Sequence, residues 1–464
     1  MIEMSLAEVA EAVGGRLTPD AAGTVAGKVT VDSRAVASGD LFVAVPGERV
    51  DGHDFLTAAA AAGAVAALTT RPDGALPCVV VDEPVAALGR LAAAVHTRLT
   101  AGDLATIGIT GSSGKTSTKD LLGQVLATAG PAVSPPGSYN NDIGLPLTVL
   151  DADEDTRFLV LEMGSRGPGH IARLCRVARP DVGVVLNVGS AHLGEFGSAD
   201  GIAVAKGELV EALPAEGTAV LNADDPRVIG MAPRTRAGVV TTGRAADADV
   251  RAEDVALDEF GRAAFTLVVA GARAAVRLQV VGEHQVANAL SAAGAALAAG
   301  MAPDAVAAAL SAAEPRSRWR MEVTRRDDGV TVINDAYNAN PESMRAALAA
   351  LAGLPAQRRI AVLGAMAELG PGAAGEHERL GRDAVAAGVD LVVAVGPDAV
   401  GIADGALAAG ARADEGAVRV PDRAAARELL TEVLVPGDVV LVKASRSYGL
   451  EVLAADLLAA GAGA

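Results

Sequence analysis

The stretch Ala105-Thr-Ile-Gly-Ile-Thr110, followed by Gly111-Ser-Ser-Gly-Lys-Thr-Ser117, decides the fold of this chain. The first half is apolar and β-branched, which predicts a buried strand, and the residues after Ser117 place leucine and valine at helical spacing. A strand, a glycine-rich turn and a helix in this order are the context of a phosphate-binding loop, in which backbone N–H groups and the helix N-terminus hold an anion.

Within this loop, Gly111 and Gly114 permit the backbone to wrap an anion, Lys115 can reach the β- and γ-phosphates of ATP, and Thr116 can bind Mg²⁺. The strict pattern Gly-x-x-x-x-Gly-Lys-[Ser/Thr] is not met, because Ile109 stands at its first glycine position. The alternative is a glycine-rich turn with a chance lysine, but the flanking elements favour the phosphate loop. The residues predicted to bind the nucleotide here are Thr110, Gly111, Ser112, Ser113, Gly114, Lys115, Thr116 and Ser117.

Composition limits the class of protein. A chain of 464 residues predicts about three domains at roughly 150 residues each. The net charge of −18 argues against a surface for nucleic acid or anionic membranes. Without a long apolar stretch or a basic-then-apolar leader, we expect neither membrane insertion nor a signal peptide. Cys78 and Cys175 match no metal-ligand spacing, which favours a reduced, cytoplasmic compartment.

The predicted strands and helices divide the chain into three α/β domains. Residues 1–98 form a small domain that begins with a capping box at Ser5–Glu8 and ends with a helix carrying Pro84 in its first turn. Residues 99–312 form a central domain with a mainly parallel sheet around the phosphate loop. Residues 313–464 carry strands at 330–334, 359–364, 391–396 and 438–443 with helices between them, which predicts a doubly wound α/β domain.

Several polar residues follow predicted strands, and each has two interpretations. Asp32-Ser-Arg34 forms a polar turn that could bind a ligand or serve only as a turn. Glu162 ends an apolar strand and has the position of a Mg²⁺-handling acid, or is an exposed strand-end carboxylate. His192 is either a ligand or a structural histidine. Lys206 lies in a helical stretch, where most lysines are solvated.

Two further segments have the composition expected of nucleotide-binding residues. Residues 282–289 open an alanine-rich helix with polar side chains at its N-terminal end, where amides could recognise a purine edge. Residues 314–322 contain three arginines and the only tryptophan, Trp319. This basic segment is either a solvated linker or a clamp that a neighbouring domain delivers to the γ-phosphate.

The chain resembles the Mur ligase family over nearly its whole length. The phosphate loop has the form that is typical of this family, which explains the missing glycine. More specific motifs are Tyr139-Asn-Asn-Asp-Ile-Gly144, Ala191-His-Leu-Gly-Glu-Phe-Gly-Ser198, Ala205-Lys-Gly-Glu208, Tyr337-Asn-Ala-Asn340, Met366-Ala-Glu-Leu-Gly370 and Lys443-Ala-Ser-Arg-Ser447. They are similar to the branch that adds a dipeptide, since the Asp-Asn-Pro-Arg motif of the diamino-acid-adding branch is missing between residues 313 and 464. One departure is Ala365, where an acidic residue is common in the family.

The resemblance implies roles for individual residues. Lys115, Lys206, His192 and Arg320 would be catalytic, with Arg318 as a rival to Arg320 at the γ-phosphate. Thr116, Glu162, His192 and Lys206 would serve Mg²⁺, with Lys206 carbamylated. The remaining nucleotide contacts would be Asn222, His284, Asn288, Arg320, Asp335, Tyr337 and Asn340. Substrate contacts would be Asp32, Ser33 and Arg34 at the UDP moiety, Asn141, and Lys443, Ser445 and Arg446 at the incoming dipeptide.

The resemblance also implies a reaction. ATP would phosphorylate the terminal carboxylate of UDP-N-acetylmuramoyl-tripeptide, and the amine of D-alanyl-D-alanine would then attack the acyl phosphate. The last domain would be Rossmann-like and would close over the site, and we expect its hinge near residues 313–322. We also expect the protein to be a monomer. Two alternatives remain at this point: another amide ligase of this architecture, such as a diamino-acid-adding or folylpolyglutamate-synthase-like enzyme, and a nucleotide switch without ligase turnover.

Overall fold

The computed structural model describes residues 1–47, 50–189, 196 and 198–460. Within these residues the strands form three large sheets and one small two-stranded sheet. Each large sheet belongs to one consecutive segment of the chain, and helices cover its faces. The prediction of a three-part α/β protein is therefore confirmed.

The first segment holds a sheet of five described strands in the order β2-β7-β6-β5-β4, parallel from β4 to β7. The predicted capping box is present, because Ser5 Oγ accepts from Glu8 N at 3.3 Å and Glu8 Oε2 accepts from Ser5 N at 2.8 Å. The elements are β1 Met4–Ser5, α1 Leu6–Val13, β2 Arg16–Leu17, β3 Thr24–Val25, β4 Val29–Thr30, β5 Leu41–Val43, α2 Leu56–Ala62, β6 Ala66–Thr69, β7 Cys78–Val80 and α3 Pro84–Leu99.

The central segment holds nine described strands in the order β16-β15-β14-β13-β12-β11-β8-β10-β9. The sheet is parallel from β9 to β14, as predicted, but β14, β15 and β16 form an antiparallel extension that was not predicted. The strands are β8 Ala105–Thr110, β9 Ala132–Val133, β10 Phe158–Glu162, β11 Val182–Val185, β12 Thr218–Asn222, β13 Gly238–Gly243, β14 Val250–Leu257, β15 Arg262–Val269 and β16 Ala272–Val281. The helices are α4 Lys115–Ala127, α5 Gly144–Leu150, α6 His170–Val177, α7 Ala199–Glu211, α8 Pro226–Ile229, α9 Gln285–Ala298 and α10 Pro303–Ala312.

The last segment holds six described strands in the order β17-β18-β22-β19-β20-β21, with β17 antiparallel to the otherwise parallel set. The predicted strands are present within one or two residues of their expected bounds. The elements are β17 Glu322–Arg325, β18 Thr331–Asn334, α11 Pro341–Gly353, β19 Arg358–Gly364, α12 Ala373–Ala386, β20 Leu391–Val395, α13 Val400–Ala408, β21 Ala417–Val420, α14 Arg423–Val433, β22 Asp438–Lys443 and α15 Leu450–Ala460.

Sheet register brings the functional strand ends together. Glu162 of β10 pairs with Ile109 of β8, and Val185 of β11 pairs with Thr110 at the end of β8. In the last sheet Asn334 of β18 pairs with Val442 of β22. The carboxyl ends of neighbouring parallel strands therefore meet at one edge of each sheet, where ligands bind in open α/β folds. Among the helices described, we find none that is both long and apolar enough to cross a membrane.

Candidate active site

A cavity of about 520 Å³ lies between the central and last segments. Its central wall is formed by the phosphate loop, the ends of neighbouring strands and the start of α9. Its other wall comes from the segment around Arg320, the loop after β18, the loop after β19 and the end of β22. Most of the nucleotide residues predicted from the sequence therefore meet in one place.

The phosphate loop has the conformation that its sequence predicts. Thr110 ends β8, α4 begins at Lys115, and Gly114 adopts φ +81°, a left-handed conformation that glycine accepts without strain. A Cβ at Gly114 would lie 2.4 Å from Asn288 Oδ1, so the close approach of α9 also requires glycine. Ser112 to Ser117 line the cavity, and Lys115 Nζ donates to Gly111 O at 2.6 Å.

Glu162 is 2% exposed and is held by three side chains. Thr116 Oγ1 donates to its Oε2 at 2.8 Å, while Ser138 Oγ and Asn140 Nδ2 donate to its Oε1 at 2.7 and 2.8 Å. The cluster offers hydroxyl, amide and carboxylate oxygens beside a phosphate loop, the donor types that Mg²⁺ prefers.

Basic side chains interact electrostatically with this cluster and with one another. Burial lowers the pKa of Lys115; Glu162 opposes this shift and Arg320 adds to it, so these three groups interact electrostatically. Lys206 of α7 is 5% exposed, and burial, with a smaller contribution from Lys115, lowers its pKa well below the usual value for lysine. A buried, readily neutralised amine is the form that reacts with CO₂, since the carbamate forms by attack of the unprotonated nitrogen. His192, the other predicted metal ligand, lies outside the described residues.

The start of α9 forms a further part of the cavity wall. His284 and Asn288 both line it, and Asn288 Nδ2 donates to Gln285 Oε1 at 2.8 Å. Burial lowers the pKa of His284, which favours a neutral imidazole. Asn222 is placed differently: its Nδ2 donates to Leu186 O at 2.8 Å and its Oδ1 accepts from Asp224 N at 3.0 Å. It is not among the described residues that line this cavity.

The loop after β18 forms the opposite wall with Asp335, Tyr337 and Asn340. The Arg320 guanidinium stacks on the Tyr337 ring, 4.2 Å from its centroid, and the buried Arg320 Nε has no hydrogen-bond partner among the described residues. Arg318 is exposed and is not among the described lining residues. Asn340 Oδ1 caps α11 by accepting from Ser343 N at 2.9 Å, and its Nδ2 approaches Ser112 O of the phosphate loop at 3.4 Å.

The residues predicted at the dipeptide all line the same cavity. Lys443 ends β22, and its ammonium binds Asp335 Oδ2 at 2.6 Å. Ser445 Oγ accepts from Ala367 N at 2.9 Å. The Arg446 guanidinium stacks on Trp319 at 4.3 Å from the ring centroid and also forms an ion pair with Glu451.

The residues predicted for the UDP-linked substrate lie apart from the main cavity. Arg34 binds Asp32 through two hydrogen bonds of 2.9 and 2.7 Å, and this contact lowers the pKa of Asp32 to about 2. Ser33 lies between them in the same turn. Asn141 lines a second cavity of about 510 Å³, together with Arg166, His170 and Arg173 of the central segment and Val85 of α3.

Three residues that support the site were not predicted as site residues. Asn187 follows β11, and its Oδ1 accepts from both Ser112 N and Ser113 N at 3.0 Å. Ser138 and Asn140 hold Glu162 as described above. Asn187 stands directly after a buried strand, and that position at the edge of a parallel sheet is the signal that could have found it.

Comparisons with known proteins agree with this geometry. The family descriptions "Mur ligase family, catalytic domain", "Mur ligase middle domain" and "Mur ligase, glutamate ligase domain" match residues 27–102, 109–296 and 319–446. A UDP-N-acetylmuramoyl-tripeptide–D-alanyl-D-alanine ligase from Mycobacterium tuberculosis is 51% identical over 99% of this chain and 98% of its own length.

Solved structures give the same result. A crystal structure of MurF from Acinetobacter baumannii has a TM-score of 0.88 and 32% identity, covering 98% of this chain and 99% of that one. The MurF ligase from Thermotoga maritima in complex with ADP has a TM-score of 0.79 and 30% identity, covering 94% of this chain and 97% of that one. By sequence over its whole length and by fold, this chain belongs to the Mur ligase family, in the MurF branch.

Proposed function

We propose that this chain joins D-alanyl-D-alanine to UDP-N-acetylmuramoyl-tripeptide in an ATP-dependent amide ligation that yields ADP and phosphate. The observation that carries the proposal is the full-length similarity to ligases of that name, at 51% identity for the mycobacterial relative. The cavity supports it, because the phosphate loop, Glu162 and Arg320 converge there. The diamino-acid-adding and folylpolyglutamate-synthase-like alternatives have less support, since the solved diaminopimelate-adding ligase and folylpolyglutamate synthase are each 20% identical to this chain, against 32% and 30% for the two MurF structures.

In the first step, the γ-phosphoryl group of ATP passes to the terminal carboxylate of the tripeptide, which gives that carboxylate a leaving group. Lys115 and the backbone N–H groups of residues 112–116 would bind the phosphates. Arg320 faces the same cavity, and its buried Nε has no hydrogen-bond partner in the part of the chain that the structure describes. Fixed positive charge of this kind stabilises the charge that develops on the transferring phosphoryl group. The exposed Arg318 is the weaker candidate for this role.

In the second step, the dipeptide amine attacks the acyl phosphate, the tetrahedral intermediate expels phosphate, and the amide remains. Ser445 and Arg446 line the cavity from the last segment, so they are placed to hold the incoming dipeptide. Asp32, Ser33 and Arg34 would bind the UDP moiety, with Asn141 contacting the substrate near the second cavity.

His284 and Asn288 would bind adenine. Because both polar groups of the Asn222 side chain already have hydrogen-bond partners in the protein, any contribution of Asn222 to adenine binding would be indirect.

Thr116 and Glu162 fit a Mg²⁺ site, because a hydroxyl and a carboxylate lie 2.8 Å apart beside the phosphate loop. When bound there, Mg²⁺ would neutralise phosphate charge and orient the transferring group. Lys206 would join this site as a carbamate, formed when its neutral amine adds CO₂ and releases a proton. His192 is proposed as a further ligand on the family resemblance alone.

We also propose the domain limits 1–98, 99–312 and 313–464. They are supported by the three large sheets, which use residues 16–80, 105–281 and 322–443. The protein would act as a monomer in the cytoplasm, where its substrate ATP is available; light scattering on the purified chain would test the oligomeric state.

The decisive experiment measures phosphate release with ATP, Mg²⁺ and UDP-N-acetylmuramoyl-tripeptide, with and without D-alanyl-D-alanine, and determines the product mass. Release that depends on the dipeptide, with a product heavier by one dipeptide less one water, is the expected result. Diaminopimelate with UDP-N-acetylmuramoyl-L-alanyl-D-glutamate, and glutamate with a folate, serve as competing substrate pairs. Turnover with either of these, but not with the dipeptide, would overturn the assignment in favour of another ligase branch, and ATP binding without any acceptor-dependent turnover would favour a switch.

The carbamate is tested separately. Nuclear magnetic resonance of the enzyme in ¹³C-bicarbonate should show a carbamate carbon that is missing in Lys206→Ala. That variant should lose most activity and regain part of it with added short-chain carboxylates. A fully active Lys206→Ala variant would contradict this role.

A further inference from the structure

Lys443 is 2% exposed, and all three of its ammonium protons are directed at one loop. Nζ lies 2.6 Å from Asp335 Oδ2, 2.7 Å from Asn338 O and 3.4 Å from Asp335 O. An ammonium group has three donors, so these contacts leave none for a carboxylate of the dipeptide. We infer that Lys443 is a positioning residue of the ATP site, which holds the loop of residues 335–340, rather than a contact of the dipeptide. This inference rests on the proposed function.

Ser445 adds a second attachment to the same loop. Its hydroxyl donates to Ala339 O at 3.4 Å and accepts from Ala367 N at 2.9 Å. Lys443 at the end of β22 therefore binds the start of the loop of residues 335–340, and Ser445 binds near its end. Ser445 also binds the loop after β19 through Ala367 N. Of the three residues predicted at the dipeptide, Arg446 is the one whose side chain is directed elsewhere than this loop.

The loop in turn fixes the backbone around Arg320. Asp335 Oδ1 accepts from Met321 N at 3.1 Å, and Tyr337 N donates to Trp319 O at 3.2 Å. Trp319 and Met321 have φ values of +60° and +52°, in the left-handed region that side-chain-bearing residues rarely adopt. Such a conformation persists only where neighbouring contacts hold it. Asp335 provides one of these contacts, with its other oxygen bound to Lys443.

A continuous path of contacts therefore joins Lys443 to Arg320 and to the phosphate loop. It passes from the Lys443 ammonium to Asp335, from Asp335 to Met321 N, and from Met321 to Arg320, whose guanidinium stacks on Tyr337 of the same loop. At the other end of the loop of residues 335–340, Asn340 Nδ2 donates to Ser112 O of the phosphate loop. Without Lys443, the partly buried carboxylate of Asp335 and the carbonyls of Asp335 and Asn338 lose this donor, and the backbone around Arg320 loses part of its support.

The test is steady-state kinetics of Lys443→Met and Lys443→Arg, with ATP and dipeptide varied separately. Loss of a buried charged hydrogen bond should raise KM for ATP by about 10- to 100-fold and lower kcat. KM for the dipeptide should stay within about twofold, and Lys443→Arg should restore part of the ATP affinity. A rise in KM for the dipeptide with KM for ATP unchanged would overturn the inference.

Coupling provides a second measurement. Asp335→Asn removes the carboxylate that links Lys443 to Met321 N. Lys443→Met should therefore change KM for ATP much less in the Asp335→Asn variant than in the wild type. Additive effects of the two substitutions would contradict the path through Asp335.

Arg358→Met is the matched control. Arg358 forms an ion pair of 2.6 Å with Asp438, at the opposite end of the same strand β22. This variant should lower the unfolding temperature while leaving both KM values unchanged, which separates lost stability from lost positioning.

The affinity of the enzyme for a non-hydrolysable ATP analogue, measured by calorimetry, tests the inference without turnover. If the wild type fails to ligate the dipeptide, the proposed function fails, yet a weaker analogue affinity of Lys443→Met would still support the inference.

Discussion

The first and last domains meet the central domain in opposite ways. Helix α3 packs the first domain onto the central one, and Leu88, Leu91 and Val95 share a continuous buried core with Leu145 and Leu174 of α5 and α6. The boundary with the last domain is mainly the polar cavity. Among the described residues, Val281 alone of the central domain joins a core cluster of the last domain.

We expect this difference to separate a rigid unit from a mobile one. Apolar burial is favourable whether or not a ligand is bound, so the first two domains should stay together. Polar groups around a cavity gain their strongest partners when anionic substrates enter, so the last domain should close when ATP and the UDP-linked substrate bind. The predictions below test the two boundaries against each other.

The largest effect is expected at the polar boundary, for Lys115→Ala. Removing the phosphate-binding ammonium should lower kcat/KM by about 10³-fold or more, with little change in unfolding temperature. The measurement is dipeptide-dependent phosphate release. Lys28→Ala removes an exposed lysine from the first domain as a control. Turnover of Lys115→Ala within tenfold of wild type would contradict the role of the loop.

At the apolar boundary, Leu91→Ala should lower the free energy of unfolding by about 2–5 kcal/mol, because it leaves a cavity in a fully buried core. Chemical denaturation measures this. Leu453→Ala, in the core of the last domain, is the counterpart and should destabilise that domain alone. If both variants shift one common transition equally, the two boundaries do not differ as proposed.

Asn187→Ala tests how the central wall of the cavity supports ATP binding. It removes the acceptor of two N–H groups of the phosphate loop, so KM for ATP should rise by about 10- to 100-fold. KM for the UDP-linked substrate is the internal control and should stay nearly constant. Equal increases in both would indicate a general distortion of the central domain.

The smallest expected effect is the pH dependence of the free energy of unfolding that comes from His96, at the apolar boundary. His96 of α3 is buried, and its Nε2 lies 2.9 Å from Thr106 Oγ1 of β8. Burial lowers the pKa of His96, with Asp181 opposing the shift. Because the folded pKa lies below the unfolded value of about 6.5, protons favour the unfolded state, and stability should fall as pH drops through about 6.5. Denaturation at several pH values should show a smaller loss in His96→Gln.

Part of the site was predictable from local pattern, since the phosphate loop and Glu162 follow from strand-end positions. His284 and Asn288 were assigned through the family resemblance, and the structure brings all of them to one cavity. Asn187, Ser138 and Asn140 were missed as site residues, since an amide or hydroxyl near a strand end is common in any protein. What distinguishes them is a hydrogen bond to a segment about 20 to 75 residues away.

The three α/β domains, the phosphate loop and the family can be recognised from the sequence, because hydrophobic periodicity, glycine placement and motif spacing are local properties. Which charges neutralise each other depends on how distant segments meet in the folded chain. Lys443 and Arg446 both look like dipeptide contacts in the sequence, yet the three donors of Lys443 turn toward residues 335–338, which are more than 100 positions away in the chain. Such pairing depends on the meeting of β18 and β22 in one sheet, and no local pattern encodes that contact.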